Sequence, residues 1–271
     1  LHRYPNIDHE DKSAMTKAIF PITEEVQDFI NRMYDLYAKR IHGVTEHRFD
    51  IKQENIAKAG LWIAKKRYAQ WVINVEGHTV DKLDVKGIDV VRSNFPTAMR
   101  TFMADVLKGI LENKTQDAID EMVLDFKDDM KKMDIGDIAK STGVKNIEKH
   151  IFKDQDNLIE LSKGAPAHVK AAVAYNNMLR RTGNTQLGEI RSGDKIKWVY
   201  LRQNPFGLGA IAFKNYDDPD TVKDFIKKYI DYEMIFTREL NNKLGAFYSA
   251  MKWGDIPTES MRQVHKFFDF S

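Results

Sequence analysis

The stretch Lys52-Gln53-Glu54-Asn55-Ile56-Ala57-Lys58-Ala59-Gly60-Leu61-Trp62-Ile63-Ala64-Lys65-Lys66-Arg67-Tyr68 ends in three adjacent cations and a phenol. They stand at the mouth of an apolar run, Ala69 to Val75. Cations that stay solvated while their neighbours enter a core usually have an anionic partner, for which nucleic acid is the first candidate; the alternative is a solvated charged turn. Beyond them Trp71, Ile73 and Val75 alternate with Gln70, Val72 and Asn74, the period of a half-buried strand, and Glu76-Gly77 supplies a turn. The residues leading into the triplet read as a broken helix or loop.

Composition bounds what the triplet can belong to. At 271 residues the chain is long enough for one large domain or two ordinary ones. With 42% hydrophobic and 30% charged residues it reads as a folded globular chain rather than a disordered one. A net charge of +2 leaves anion binding to local clusters instead of a global field. The absence of cysteine excludes disulfides, thiolate-ligated metal and thiol catalysis. No apolar run approaches the roughly 20 residues that span a bilayer, so no membrane association is expected, and the amino end, rich in His and Asp, is no signal peptide. Leu1 in place of an initiator Met implies a trimmed, processed or incompletely represented start.

Outward from the triplet, an α+β amino-terminal piece gives way to a mostly helical one. Residues 1–21 hold Pro5 and Pro21 and read as loop with one helical turn. From Thr23, a capped start, Val26, Phe29, Ile30, Met33, Leu36 and Tyr37 fall on one helix face until Gly43. Phe49 and Ile51 suggest a short strand, and Val85, Ile88, Val90 and Val91 a second β-like stretch around Gly87. After Pro96, Phe102, Val106, Ile110 and Leu111, then Ile119, Met122, Val123, Phe126, Met130 and Met133, trace two amphipathic helices with a break at Asn113-Lys114-Thr115. A short helix spans Ile135–Ser141, and a polar linker follows Gly143. A helix runs from Pro166 to Arg181 with Gly183 after it. Ile196, Trp198 and Tyr200 alternate with Lys195, Lys197 and Val199 in a strand with one cationic edge, and Ile211-Ala212-Phe213 is its expected partner. Pro219 and Asp220 start a long helix continuing past Leu240 and Leu244.

Catalytic constellations are missing from this pattern. The eight histidines are scattered, with no His pair at i, i+4 beside a glutamate. Asp128-Asp129 and Asp217-Asp218 read as solvated surface and turn. Gly207-Leu208-Gly209 leads into a strand and so lacks the helix N-terminus of a phosphate loop. Cations recur instead. Lys163, His168 and Lys170 flank the helix start at Pro166, where free N–H groups would add to charge. Arg180 and Arg181 end that helix, where cations also cap its dipole. Arg238 and Lys243 lie late in the long carboxy-terminal helix. Together they suggest a groove that tracks a nucleic-acid backbone without reading sequence.

The run Phe49-Asp50-Ile51-Lys52-Gln53-Glu54, then Gly60 to Tyr68, then Val85-Lys86-Gly87-Ile88-Asp89-Val90-Val91-Arg92-Ser93-Asn94-Phe95-Pro96, closely resembles the end of the palm in family B DNA polymerases of the bacteriophage branch. Pro166-Ala167-His168-Val169, Tyr175-Asn176, Gly193-Asp194-Lys195-Ile196, Asn204-Pro205-Phe206-Gly207 and Asp231-Tyr232 are similar to that family's thumb. The resemblance implies residues 1–95 as the carboxy-terminal part of a palm, 96–258 as a mostly helical thumb with a small β insertion, and 259–271 as a flexible tail.

In the family, the lysine matched by Lys66 reaches the minor groove near the primer end. The tyrosine matched by Tyr68 holds the primer strand, while Lys65 and Arg67 shape the site. Lys163, His168, Lys170, Arg238 and Lys243 are the implied thumb contacts to duplex. The tail Val264-His265-Lys266-Phe267-Phe268-Asp269-Phe270 resembles a clamp-binding peptide, with Val264, Phe267, Phe268 and Phe270 as the plug into a sliding clamp; the alternative is that the phenylalanines pack back on the thumb. The family's metal-binding aspartates, including an Asp-Thr-Asp, do not occur here. The resemblance therefore implies a carboxy-terminal subunit or fragment of a DNA-directed DNA polymerase, incomplete alone. Its partner chain would carry exonuclease, fingers and the palm motifs that hold Mg2+, and primer–template DNA and dNTPs would meet in the assembly. A phage-infected bacterial cytoplasm is the expected setting. The alternative is a non-catalytic duplex-binding or regulatory module derived from a polymerase.

Overall fold

The computed structural model describes residues 11–91, 94–155, 158–184, 187–214 and 218–258. They form two compact units, one of residues up to Ile88 with Leu107–Asn113, the other of Asp89–Val106 with residues from Lys114 onward. Both mix helices with short antiparallel strands, so the fold class is α+β, as expected. The implied clamp-binding residues Val264, Phe267, Phe268 and Phe270 lie outside the described residues.

In the first unit a single helix, α1 (Lys12–His42), begins well before Thr23 and carries Pro21 inside it. Asp11 caps it, its carboxylate accepting from the amides of Ser13 and Ala14. An internal proline deletes a helix hydrogen bond and ordinarily costs about 3 kcal/mol. Burial offsets that cost: Met15 joins Ile56 and Ile73 in a core that Ile19, Phe20 and Trp71 surround. Thr23, expected as the cap, donates its hydroxyl to the Phe20 carbonyl instead. Gly43 ends the helix in the left-handed conformation, as its position predicts.

The strand expected at Phe49–Ile51 does not form, because side chains of α1 take its backbone groups. Asn31 bonds both the N–H and the carbonyl of Ile51, and Gln27 Oε1 accepts from the Gln53 N–H. The next segment, read as broken helix or loop, is strand β1 (Asn55–Ala64). It pairs antiparallel with β2 (Arg67–Val75), which pairs with β3 (His78–Lys86) in a three-stranded meander. Register shifts between Ile56 and Ala57, Ala57 and Ala59, and Trp62 and Ala64 break the alternation that would have revealed β1. Glu76 and Gly77 turn β2 into β3 with φ of 48° and 88°, the pair of positive angles a two-residue hairpin loop favours. The β-like stretch around Gly87 is only partly a strand. β3 ends at Lys86, Gly87 turns the chain, and Asp89–Val91 is a 3-10 turn.

The two expected amphipathic helices follow: α2 (Thr97–Leu111), whose residues up to Val106 belong to the second unit and the rest to the first, and α3 (Gln116–Met130) in the second unit. Thr115 caps α3 through its hydroxyl, and Phe102 and Phe126 stack between the helices at 4.1 Å. The next helix, α4 (Ile135–Ile138), stops short of Ser141 because the chain enters β4 (Lys140–Gly143). The expected polar linker carries a hairpin, β5 (Ile151–Gln155) and β6 (Leu158–Leu161). Then come α5 (Ala167–Arg181), β7 (Lys195–Tyr200) and β8 (Ala210–Phe213), as Pro166 and the alternation predict. The second sheet has the order β4-β7-β8.

The long carboxy-terminal helix is broken. It consists of α6 (Asp220–Tyr229), α7 (Tyr232–Phe236), a π-helical turn Thr237–Asn241 and α8 (Asn242–Met251). The break falls where Ile230 bridges Leu201 and the Arg202 N–H donates to the Tyr229 carbonyl, so sheet-like bonds replace helical ones. Asp231 restarts the helix by accepting from the Met234 N–H. Asp128 and Asp129 are ion-paired with Lys131 and Lys132 on the solvated surface, as expected. Asp218 corrects the reading of its pair: it is only 4% exposed, accepting the Tyr175 hydroxyl at 2.7 Å and the Lys214 N–H at 2.9 Å.

Candidate nucleic-acid interface

The cationic triplet is divided by the hairpin that carries it. Lys65 and Lys66 form the two-residue turn between β1 and β2 and are exposed, whereas Arg67 and Tyr68 open β2 half-buried. Lys66 has φ of 63°, a left-handed conformation uncommon for a residue with a side chain and costing on the order of 1 kcal/mol. Gly87, at the end of β3, explains how the turn is held. A Cβ at Gly87 would lie 2.1 Å from the Lys66 carbonyl oxygen, so only glycine lets the two backbone segments meet. The conformation that presents Lys66 thus depends on a residue remote in sequence.

Register places three further groups beside the turn. Trp62 on β1, Tyr68 on β2 and Lys86 on β3 are successive cross-strand partners and so share one sheet face. Trp62 is 63% exposed, and its indole lies over Gly60, where a Cβ would come within 2.5 Å of the ring. Lys86 pairs with Asp84 at 3.1 Å, a bond that raises its pKa and keeps it charged. One end of the sheet therefore offers an exposed indole, a phenol and the cations Lys65, Lys66, Arg67 and Lys86, with Lys65 and Lys66 foremost. Cations suit phosphate and groove-edge acceptors, and aromatic rings suit sugars and bases. Neither Trp62 nor Lys86 stands out in the sequence. Reflecting Tyr68 through the Lys65-Lys66 turn leads to Trp62, but only once β1 is recognised as a strand.

In the second unit the expected contacts divide into two kinds. Lys163 and Lys170 are exposed on either side of the α5 start, and Arg238 is exposed on the π-helical turn. His168 is half-buried. Burial first, then the nearby His150 and Lys140, lower its pKa, so it is a neutral imidazole at pH 7 rather than a cation. Lys243 donates to the Glu239 carbonyl and lies 4.7 Å over the Phe95 ring, which directs its charge inward. Sequence reasoning missed Lys140, which joins these groups. Its ammonium pairs with the buried Glu239 at 2.9 Å, and both act on Tyr200 together with Arg238. Arg180 is held between Glu189 and Asp154, which keep it charged and fix it to the hairpin and loop.

Among the described residues, no group of three or more Asp, Glu or His side chains could hold a metal ion. No described helix is long and apolar enough to cross a membrane. A family model for DNA polymerase family B matches residues 21–247, which include both units' cationic groups. The chain belongs to DNA polymerase family B. This family B chain is 25% identical over 215 residues to a DNA-directed DNA polymerase of Escherichia phage RB69, a span of 78% of this chain and 23% of that one. It is 24% identical over 183 residues to the DNA-directed DNA polymerase of Enterobacteria phage T4, covering 66% and 19% of the two. It is 30% identical over 178 residues to the catalytic chain of DNA polymerase alpha from Saccharomyces cerevisiae, covering 64% and 11%. The chain thus spans less than a quarter of the length of these relatives.

Proposed function

We propose that this family B chain is the palm end and thumb of a DNA-directed DNA polymerase. It would grip primer–template duplex and complete the active site of a partner chain that carries the catalytic aspartates. The observation that carries this reading is the turn held by Gly87, which projects Lys66 beside Tyr68 from a sheet matched by the family B model. Minor-groove acceptors are common to all correct base pairs, so a lysine there tests pairing geometry and not sequence. Tyr68 would steady the primer strand, with Lys65 and Arg67 supplying charge. Lys163, Lys170 and Arg238 would contact the duplex backbone, His168 would contribute as a neutral donor or acceptor, and Lys243 would position its helix.

An exposed apolar stripe supports a partner. Ile22, Val26, Phe29, Met33, Leu36, Tyr37 and Ile41 recur at helical spacing along α1, and Phe29 is 57% exposed. In this reading Mg2+ and the phosphoryl-transfer step would fall to the partner, whose aspartates would hold the metal. Residues 259–271 would be a clamp-binding tail, with Val264, Phe267, Phe268 and Phe270 entering the clamp.

Magnesium-dependent primer extension by this chain, by its candidate partner and by the mixture tests the reading. Activity only in the mixture, reduced about ten-fold or more by Lys66→Ala or Tyr68→Ala, is the expected result. Full activity of the partner alone, or unchanged kinetics in both variants, would refute it. Duplex binding with no activity in any mixture would instead leave the non-catalytic module.

A further inference from the structure

A pocket of about 460 Å³ opens within the second unit, between the end of α3, the start of α4, β7, β8 and the helices α6 and α7. That volume falls in the range of about 300–1,000 Å³ typical of sites for small ligands. Its floor is apolar and partly aromatic, from Met133, Phe213, Val222, Ile226 and Tyr232. Its rim is cationic: Lys131, Lys197, Lys214, Lys223 and Lys227 stand against two aspartates, Asp134 and Asp218.

Both carboxylates are committed to the fold. Asp134 accepts from the Gly136 N–H, and Asp218 accepts from Tyr175 and the Lys214 N–H. Lys197 and Lys214 are likewise steadied by neutral groups, the carbonyls of Gly136 and of Gly188 and Glu189, so both signs of charge persist and the lysines outnumber the two aspartates. Lys223 and Lys227 are four residues apart on α6, one helical turn, and so project side by side at the same edge of the pocket. Lys223 lies 3.9 Å from the Asp220 carboxylate, which is 94% exposed, a contact too long and too well solvated to neutralise it. Val222 and Ile226 from the same helix lie directly inside the lysine pair.

We propose that this pocket binds a mononucleotide unit. The base lies on the apolar floor against Tyr232 and Phe213, and the phosphate is held by Lys223 and Lys227. Two ammonium groups one turn apart match a single phosphate, and half-buried rings behind them match a flat base. An acidic peptide would instead spread its carboxylates over the whole rim and use the paired lysines no more than the others. The inference stands on the second unit alone and is independent of the gripping of duplex.

Isothermal titration of the 271-residue chain tests it, without duplex DNA or partner, using dAMP, deoxyadenosine, inorganic phosphate and a short acidic peptide ending in leucine and phenylalanine. Saturable binding of dAMP at least ten-fold tighter than either of its fragments is expected. The double substitution Lys223→Glu with Lys227→Glu weakens it at least ten-fold, and Tyr232→Ala about five-fold or more. Lys132→Glu, on the exposed surface outside the pocket, leaves it unchanged. Circular dichroism of each variant verifies that the fold is kept. Absent dAMP binding overturns the proposal. So does phosphate bound as tightly as dAMP, a peptide that binds more tightly and displaces it, or a double variant that is folded and binds normally.

Discussion

Gly87→Ala separates the cost of a backbone conformation from the cost of a collision. The residue has φ of 65°, where a side chain costs on the order of 1 kcal/mol. Its new Cβ would also lie 2.1 Å from the Lys66 carbonyl oxygen and 3.3 Å from the Arg67 Cγ. Real contacts of this kind do not fall below 3.0 Å, so the turn must move outward by about 1 Å. Such overpacking costs about 1–3 kcal/mol, for a total of roughly 2–4 kcal/mol. At about 4–8 °C per kcal/mol for a unit of this size, the transition of the first unit should fall by roughly 10–30 °C. Gly77→Ala is the control. It shares a positive φ, 88°, but has nothing within 4 Å of the added Cβ, so it should cost only about 1 kcal/mol. Thermal unfolding followed by tryptophan fluorescence, with fluorescence anisotropy of a labelled primer–template below the transition, gives both readouts. Gly87→Ala should also weaken duplex binding about ten-fold while folded, because it displaces Lys65 and Lys66. Equal destabilisation by the two substitutions, or a destabilised Gly87→Ala with normal affinity, would refute the linkage of Gly87 to the cationic turn.

Charge on the exposed face of α1, as in Phe29→Glu with Met33→Glu, should leave the helix content of this chain unchanged by circular dichroism yet abolish co-purification with the proposed partner. Tyr175→Phe removes the hydroxyl that Asp218 accepts, leaving a buried carboxylate short of a donor, and should cost about 1.5–3 kcal/mol in chemical denaturation. His168 has a folded pKa below its unfolded value of about 6.5, so the unfolded chain binds the proton more readily. Stability therefore declines as pH falls from near that value toward the folded pKa and levels off below it; His168→Gln should flatten this part of the profile. Deleting residues 264–271 should spare distributive synthesis by the assembled enzyme and remove its stimulation by a sliding clamp, measured as product length.

Local rules are legible wherever an element is stabilised by its own neighbours. The strand from Arg67, the Glu76-Gly77 turn, the paired helices split at Asn113-Lys114-Thr115, and the helix between Pro166 and Gly183 all carry their signals within a few residues. Elements stabilised from a distance are not legible. β1 is bulged, and its strand identity comes from its partner; Pro21 sits in a helix held by Ile56 and Ile73; the helix after Pro219 yields at Ile230 to a bridge with Leu201. Asp218 reads as a turn residue in the sequence because the Tyr175 hydroxyl that buries it lies 43 positions away.

The same division runs through the candidate site. From the order of residues alone come the cations Lys65, Lys66 and Arg67, the phenol of Tyr68 and the resemblance that proposes DNA as their partner. Tertiary structure decides how they act. It splits the triplet between an exposed turn and a half-buried strand, lets Gly87 hold Lys66 in a left-handed turn, and sets Trp62 and Lys86 beside Tyr68. Residue type determines which charges are present, but their direction depends on cross-strand register and backbone contact, which join residues the chain keeps far apart.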